Sequence, residues 1–221
     1  MSFSKEWDDI YNTNTHLSVW PWSDLVSYVM RYARPVQNSE YNVLELGLGA
    51  GANIPFFEWL DVNYYGVEGS PTIVNRLHEK YYNLRDKIVA ADFTKEIPFD
   101  ERFHLVVDRG SLTCNNTYSI IKSLEIIKSK MSSGDSFVGI DWFSTNHSDY
   151  SKGDSFIDEF TCLLSNGHLA GVGYVHFSTK NHIIELFKGF EVKILEEKII
   201  RRNIPSDGDV IATWNFYAVK L

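Results

Sequence analysis

Cysteine is scarce in this chain, and the two residues present lie far apart. Cys114 and Cys162 are the only cysteines among 221 residues, and no CxxC pair occurs. We interpret them as reduced thiols and assign no residue to a metal. Residues 1–9 lack the basic and apolar regions of a signal peptide, and no apolar run is long enough to span a bilayer. The sequence therefore predicts a soluble cytoplasmic protein without a membrane partner.

Positive charge is also in short supply. The chain has 21 Lys and Arg against 29 Asp and Glu, a formal net charge of -8. No basic stripe occurs, and the pair Arg201–Arg202 is typical of solvated surface. We expect no nucleic-acid partner, because phosphate binding needs a basic surface. Hydrophobic residues make up 44% of the chain, which is ample for one large domain or one domain with a cap.

Short apolar runs alternate with helical patterns along the first two thirds of the chain. Most of these runs are followed by a turn and then by apolar residues at helical spacing. This alternation predicts a parallel sheet with helices on both faces. The expected strands are 41–46, 63–68, 87–92, 103–108 and 136–141, and the expected helices include 23–34, 53–60 and 117–131.

The last third of the chain has a different pattern. Residues 143–178 are polar and contain glycine, and they do not resemble one regular element. A helix is expected over 180–188, with Gly189 as its cap. The runs 191–200 and 210–221 are rich in β-branched and aromatic residues. They predict an antiparallel pair that closes one edge of the sheet.

An acidic residue lies at or near the end of each of the five expected strands. In parallel sheets, ligands bind beyond the carboxyl ends of the strands. Turn preferences also favour Asp at such junctions, but acids at all five ends indicate a ligand site. These acids are Glu45, Glu68, Asp92, Asp108 and Asp141.

The stretch 42–53 runs from an apolar strand through three alternating glycines into a helical segment, as nucleotide-binding loops do. The spacing Gly47-x-Gly49-x-x-Ala52 also fits a dinucleotide fingerprint, so glycine spacing alone leaves NAD open. Glu45 favours a different ligand, because a carboxylate repels a pyrophosphate. S-adenosylmethionine carries a sulfonium and an ammonium group, and both are attracted to a carboxylate.

Four motifs resemble those of class I S-adenosylmethionine-dependent methyltransferases. Glu-Leu-Gly-Leu-Gly-Ala-Gly at 45–51 is similar to the first motif of that family, Gly-Val-Glu-Gly-Ser at 66–70 to the second, and Ala-Asp-Phe at 91–93 to the third. Asp-Arg-Gly-Ser-Leu at 108–112 resembles the fourth motif of the thiopurine methyltransferase-like branch. The resemblance covers 42–142. It implies a Rossmann-like, seven-stranded, mostly parallel sheet with an antiparallel last strand, and S-adenosyl-L-methionine as cofactor.

The resemblance also implies roles for individual residues. The glycines would let the backbone approach the methionyl part and the ribose, Glu45 would hold the ammonium group, and Glu68 would accept from the ribose hydroxyls. Asp92 and its neighbour would lie by the adenine, although Asp92 also opens a turn. Asp108 and Arg109 would line the methyl site or form a structural ion pair. The cofactor-binding residues implied are Glu45, Gly47, Gly49, Gly51, Asn53, Glu68, Gly69, Asp92, Phe93, Asp108 and Arg109.

The acceptor side has fewer signals. Asp141, Trp142 and His147 follow the fifth strand, and His147 is a candidate general base near neutral pH. Together with Asp108 and Asp141 it completes the catalytic candidates. Cys114 is interpreted as a small buried hydrophobe and not as a nucleophile.

The N-terminal aromatic residues lie outside the motifs. We expect 1–40 to form a helical lid segment and 41–221 to form the methyltransferase domain, with 143–178 as an acceptor-side insertion. His16, Trp20 and Trp22 would form a lid over the cofactor, unless the tryptophans only bury the N-terminal helix.

The function expected from these observations is methyl transfer to a small-molecule or glycan-precursor acceptor, whose identity the sequence does not reveal. An NAD-dependent oxidoreductase is the alternative enzyme class. A non-catalytic methyltransferase-like binding protein is the alternative without catalysis.

Overall fold

Seven strands form the central sheet in a computed structural model that describes residues 5–13, 17–37, 40–206 and 208–221. The strands are β1 (Asn42–Leu46), β2 (Asn63–Glu68), β3 (Ile88–Ala90), β4 (Leu105–Arg109), β5 (Ser136–Phe143), β9 (Phe190–Arg201) and β10 (Val210–Lys220). Their order in the sheet is β3-β2-β1-β4-β5-β10-β9.

The first five strands are parallel, and β1 lies between β2 and β4. Glu45 is paired in register with Gly66 on one side and with Val107 on the other. Four of the five residues of β1 are buried, as expected for a parallel strand covered on both faces. The carboxyl ends of β1, β2 and β4 therefore meet at one edge of the sheet.

Helices cover both faces of the sheet, as predicted. One face packs against α5 (Thr117–Ser129) and α6 (Lys180–Leu186). The other face packs against α2 (Ser23–Tyr28), α3 (Ile54–Trp59) and α4 (Pro71–Lys80). In the described residues no helix exceeds 13 residues, and none has the length and apolar character needed to cross a membrane.

The predicted antiparallel pair is confirmed. Strand β10 runs antiparallel to both β5 and β9, and β9 is the edge strand. This insertion of the last strand between its two neighbours departs from a purely parallel nucleotide-binding sheet.

The predicted helix over 23–34 is only partly correct. After α2 the chain continues as a π-helical turn, Val29–Ala33, and Arg34 then adopts the left-handed conformation with φ 47°. Pro35 explains the stop, because proline disfavours the α conformation of the residue before it.

The segment 143–178 contains regular structure that the sequence did not predict. Strands β6 (Ser155–Asp158), β7 (Thr161–Leu163) and β8 (Val175–His176) form a small antiparallel sheet. It has its own apolar cluster around Cys162, Leu164, Val175 and Phe177. Strands of two to four residues lack the alternation over four to eight residues that identifies a strand in a sequence.

Candidate functional site

A cavity of about 800 Å³ lies beyond the carboxyl ends of β1, β2 and β4. The glycine loop, residues 47–53, lines one side of it with all of its residues except Gly51, together with Glu68 and the turn after β3. The helix α1 (Lys5–Asn12) contributes to the lining as well. The remaining side, here called the outer wall, consists of Phe143, Leu163, His168, Leu169, Val172, Gly173, Tyr174 and Val175.

Close packing explains two glycines of the loop. Gly47 has φ +58°, and a Cβ there would lie 2.3 Å from the Cβ of Ser111. Gly51 has φ +74°, and a Cβ would meet Ile54 and Leu77 at 2.7 Å. Gly47 and Gly49 line the cavity, whereas Gly51 does not. The structure therefore corrects the expectation for Gly51, which permits packing of the loop against the core.

Glu68 ends β2 and faces the cavity while only 3% of its surface is exposed. Its Oε2 accepts from the Gly49 amide at 2.8 Å, and its Oε1 accepts from the Ser70 amide at 3.0 Å. Burial raises the pKa of this carboxyl. The two amides hold the side chain in place, and each carboxylate oxygen retains a further lone pair for a ligand hydroxyl. Gly69 lies beside it on the cavity surface.

Glu45 also reaches the cavity from β1, although it is 2% exposed. Its oxygens accept from Asn53 Nδ2 and from the Tyr64 hydroxyl, each at 2.7 Å. Burial raises the pKa of Glu45 to about 7. Asn53 in turn accepts from the Trp22 amide at 3.1 Å. Asn53 therefore connects the carboxylate to the N-terminal segment.

Asp92 and Phe93 line the cavity at the turn after β3. The Asp92 carboxylate accepts from the Thr94 amide at 3.0 Å and pairs with Lys95 at 3.0 Å. Burial alone would raise the pKa of Asp92, but the contacts with Thr94 and Lys95 outweigh it and lower that pKa. Asp92 thus combines the turn-forming role with a position at the cavity.

Asp108 lies beneath the cavity and not on its lining, so the structure supports neither its catalytic nor its cofactor-binding assignment. It is fully buried, and its Oδ2 accepts from Trp142 Nε1 at 2.6 Å. Its Oδ1 accepts from the Leu112 amide at 3.1 Å and from the Ser111 hydroxyl. Burial raises the pKa of Asp108 to about 6. The side chain organises the turn after β4 and makes no ion pair with its neighbour in sequence.

Arg109 lines the cavity and pairs with Asp141, so the alternative of an ion pair with Asp108 is wrong. Its Nε and Nη2 lie 3.1 and 3.0 Å from Asp141 Oδ2, and its guanidinium stacks 3.5 Å from the ring centroid of Trp22. Lys198 binds Asp141 Oδ1 at 3.3 Å and Asp24 at 2.6 Å. Asp141 lines the cavity, but its carboxylate already forms ion pairs with Arg109 and Lys198. Sequence reasoning missed Lys198 and Asp24, which lie far from every motif.

His147 does not face the cavity, so the structure does not support it as a general base. It is 3% exposed, and its Nδ1 accepts from the Asp149 amide at 3.0 Å. Burial lowers its pKa. The imidazole that lines the cavity belongs to His168, whose Nε2 lies 3.3 Å from Asp209 Oδ2. No local motif surrounds His168, and only the tertiary contact with Asp209 identifies it.

The N-terminal segment contributes Trp7, Tyr11 and Trp22 to the cavity. Helix α1 contacts α4, where Asp8 accepts from the hydroxyls of Ser70 and Thr72. The lid remains a prediction, and His16 lies outside the described residues. Trp20 is 79% exposed, so the alternative in which it buries the N-terminal helix is wrong.

Cys114 lies at the cavity margin, and burial raises the pKa of its thiol to about 12. Such a thiol carries no useful thiolate at neutral pH. This agrees with its interpretation as a small hydrophobe.

We compared the chain with known proteins and solved structures. The sequence matches no protein-family model, and no curated protein matches it closely. A SAM-dependent methyltransferase from Methanosarcina mazei aligns with a TM-score of 0.68 at 15% identity, over 92% of this chain and 99% of that one. An N-methyltransferase from Bradyrhizobium japonicum, solved with S-adenosyl-L-homocysteine, aligns with a TM-score of 0.63 at 13% identity, over 98% and 99% of the two chains.

A third similar structure is an amino pentose methyltransferase from Micromonospora echinaspora with SAM bound. Its TM-score is 0.58 at 13% identity, over 100% of this chain and 98% of that one. The chain therefore has the fold of class I S-adenosylmethionine-dependent methyltransferases, as its motifs predicted. The thiopurine methyltransferase-like branch stays a prediction.

Proposed function

We propose that this protein is an S-adenosylmethionine-dependent methyltransferase that acts on a small-molecule acceptor. The proposal depends mainly on the position and the hydrogen bonds of Glu68. Two backbone amides, those of Gly49 and Ser70, hold this buried carboxylate at the edge of a large cavity. A carboxylate held in this way suits two neighbouring ribose hydroxyls, because both hydroxyls are donors.

The residues present fit the rest of the cofactor. Gly47 and Gly49 expose backbone to the cavity, and Glu45 offers a carboxylate for an ammonium group. Asp92 and Phe93 line the cavity at the turn after β3, where we expect the adenine base. A cavity of about 800 Å³ is within the usual range for ligand sites. When bound, the cofactor supplies an activated methyl group. The protein then has to orient the acceptor and exclude water, which can contribute about 7–11 kcal/mol.

The alternative of an NAD-dependent oxidoreductase has less support. Dinucleotide-binding sheets continue as parallel units, whereas here the antiparallel β10 lies next to β5. Glu45 also lies on the cavity surface near the glycine loop, where a pyrophosphate would meet a like charge.

The outer wall supports a small organic acceptor with an apolar portion. Phe143, Leu163, Leu169, Val172 and Val175 contribute apolar surface to the cavity. Ligand pockets of this kind bury most of a small molecule against apolar walls and use few polar groups to orient it. A bare sugar would leave this surface without a matching partner, so we favour an acceptor that is at least partly hydrophobic.

Calorimetric titration of the protein with S-adenosylmethionine and with NAD tests the proposal. We expect S-adenosylmethionine to bind and NAD not to bind. The Glu68→Ala variant should lose about 1–3 kcal/mol of cofactor binding, which is about 5- to 150-fold in affinity. Glu125→Ala, which changes an exposed glutamate of α5, is the matched control. NAD binding without a response to S-adenosylmethionine would contradict the proposal.

A further inference from the structure

The outer wall contains one imidazole among the residues that the structure describes, and that imidazole is held by a carboxylate. His168 Nε2 lies 3.3 Å from Asp209 Oδ2, and the two side chains are 36% and 29% exposed. A carboxylate this near to Nε2 favours the tautomer that has its proton on that nitrogen. Nδ1 is then left with a lone pair that can accept a proton.

The position of Asp209 is set by a second contact. Lys152 Nζ lies 3.1 and 3.0 Å from its two carboxylate oxygens. The same ammonium group lies 3.2 Å from Asp149 Oδ1. The carboxylate that orients His168 is therefore itself fixed by a buried anchor, since Asp149 is fully buried.

The backbone around His168 is fixed by the same anchor. Asp149 Oδ2 accepts from the Leu169 amide at 2.9 Å. Gly167, with φ +100°, would place a Cβ 2.4 Å from Asp149 Oδ1, so a larger residue would displace the loop. The residues on both sides of His168 thus pack against Asp149. The charged or titratable groups around His168 are Asp209, Lys152, Asp149 and His147, whose ring centroid is 6.4 Å away.

The carboxylates that line the cavity already accept hydrogen bonds or pair with cations. Asp141 is bound by Arg109 and Lys198, and Glu45 accepts from Asn53 and Tyr64. Glu68 and Asp92 accept from backbone amides on the opposite side of the cavity. His168 is the imidazole of the outer wall, and imidazole is the side chain that enzymes use most often for general base catalysis.

We propose that His168, oriented by Asp209, is the general base for an acceptor that carries its nucleophile as a hydroxyl group. This inference depends on the proposed function. As the acceptor oxygen forms its bond to the methyl carbon, the carbon–sulfur bond breaks and its electron pair stays on sulfur. The hydroxyl proton passes to Nδ1 of His168 and later to solvent. A hydroxyl needs this step, whereas an ionised thiol has no proton to lose.

A first test measures the tautomer of the His168 ring and does not depend on catalysis. The protein with ¹⁵N-labelled histidine is titrated by NMR, with and without S-adenosylhomocysteine. We expect the His168 ring to be mainly the Nε2–H tautomer in the wild type and a mixture of tautomers in Asp209→Asn. A ring with its proton on Nδ1 in the wild type, or no change in Asp209→Asn, would overturn the assignment.

A second test compares two probe series, substituted phenols and the corresponding thiophenols, which are already ionised at neutral pH. His168→Gln should lower phenol methylation by about 10²–10⁴-fold, the usual contribution of a positioned base, and shift its pH profile. Thiophenol methylation should change much less. His104→Gln, just before β4 and away from the cavity lining, should match the wild type with both series.

Calorimetry separates the two proposals. A wild type that does not bind S-adenosylmethionine contradicts the proposed function itself. If the wild type binds the cofactor, three results would overturn the base assignment alone. His168→Gln could lose equal rates of phenol and thiophenol methylation, or it could lose no rate of phenol methylation. The wild type could also methylate no phenol.

Discussion

The two sides of the cavity are built in different ways. The cofactor side is formed by three short segments, 45–53, 68–70 and 91–94, each at the end of a parallel strand. The outer wall depends on contacts between distant segments, such as Lys152 with Asp209, 57 residues apart. Residues at strand ends can be predicted from the sequence, whereas contacts between distant segments cannot.

This difference has a physical cause. Parallel strands bring their carboxyl ends to one edge of the sheet, so residues near several strand ends converge without further information. The outer wall has no such rule. Its loop is positioned by the buried carboxylate of Asp149 and by Gly167, and neither residue belongs to a recognisable motif.

The largest expected effect comes from Asp108, which the sequence assigned to catalysis and the structure assigns to the core. Asp108→Ala leaves the Leu112 amide and the Trp142 indole without their acceptor. We expect the free energy of unfolding to fall by about 3–5 kcal/mol, because unsatisfied buried donors and a new cavity both cost stability. Urea denaturation measures the change. Asp86→Ala, at an exposed site, is the control, and a stable but inactive Asp108→Ala would restore the catalytic assignment.

The next effect would separate the two sides of the cavity. Asp149→Ala removes an ion pair with Lys152 and the acceptor of the Leu169 amide. We expect a loss of about 1–3 kcal/mol in stability and faster hydrogen exchange over 163–175. Affinity for S-adenosylhomocysteine should stay near that of the wild type and of the exposed control Asp100→Ala. A large loss of cofactor affinity would show that the two sides are not independent.

The smallest expected effect is a change of ligand affinity with pH, and it involves only the cofactor side of the cavity. Burial raises the pKa of Glu45 from 4.5 to about 7, so the folded, unliganded carboxyl keeps its proton in mild acid. An ammonium group binds the ionised form, and below pH 7 it must expel that proton. Affinity for S-adenosylhomocysteine should therefore be about tenfold weaker at pH 6 than at pH 8. Calorimetry at several pH values measures this.

The Glu45→Gln variant provides the control for that pH dependence. It should bind the ligand more weakly and with a flatter pH profile. The same raised pKa predicts that Glu45 stabilises the unliganded fold most below pH 4.5, and that this contribution is lost as the pH rises through 7. A pH slope that survives in the variant would assign the proton to another group.

Sequence patterns predicted most of the fold. The five parallel strands and the terminal antiparallel pair were located within a few residues, because buried strands are continuous apolar runs. The strands β6 to β8 were missed, since two to four residues carry too little periodicity to detect. The helix predicted over 23–34 ends before Pro35, as proline requires, but its second half is a π-helical turn that the pattern did not predict.

At the site, the sequence by itself determined which backbone segments and carboxylates line the cavity after β1, β2 and β3. These residues are consecutive with their strands, and the direction of a parallel strand decides where its end lies. The tertiary structure alone decided that Asp108 is core, that Arg109 pairs with Asp141, and that His168 and not His147 reaches the cavity. Burial and ion pairing depend on which distant segments come into contact, and no local pattern records those contacts.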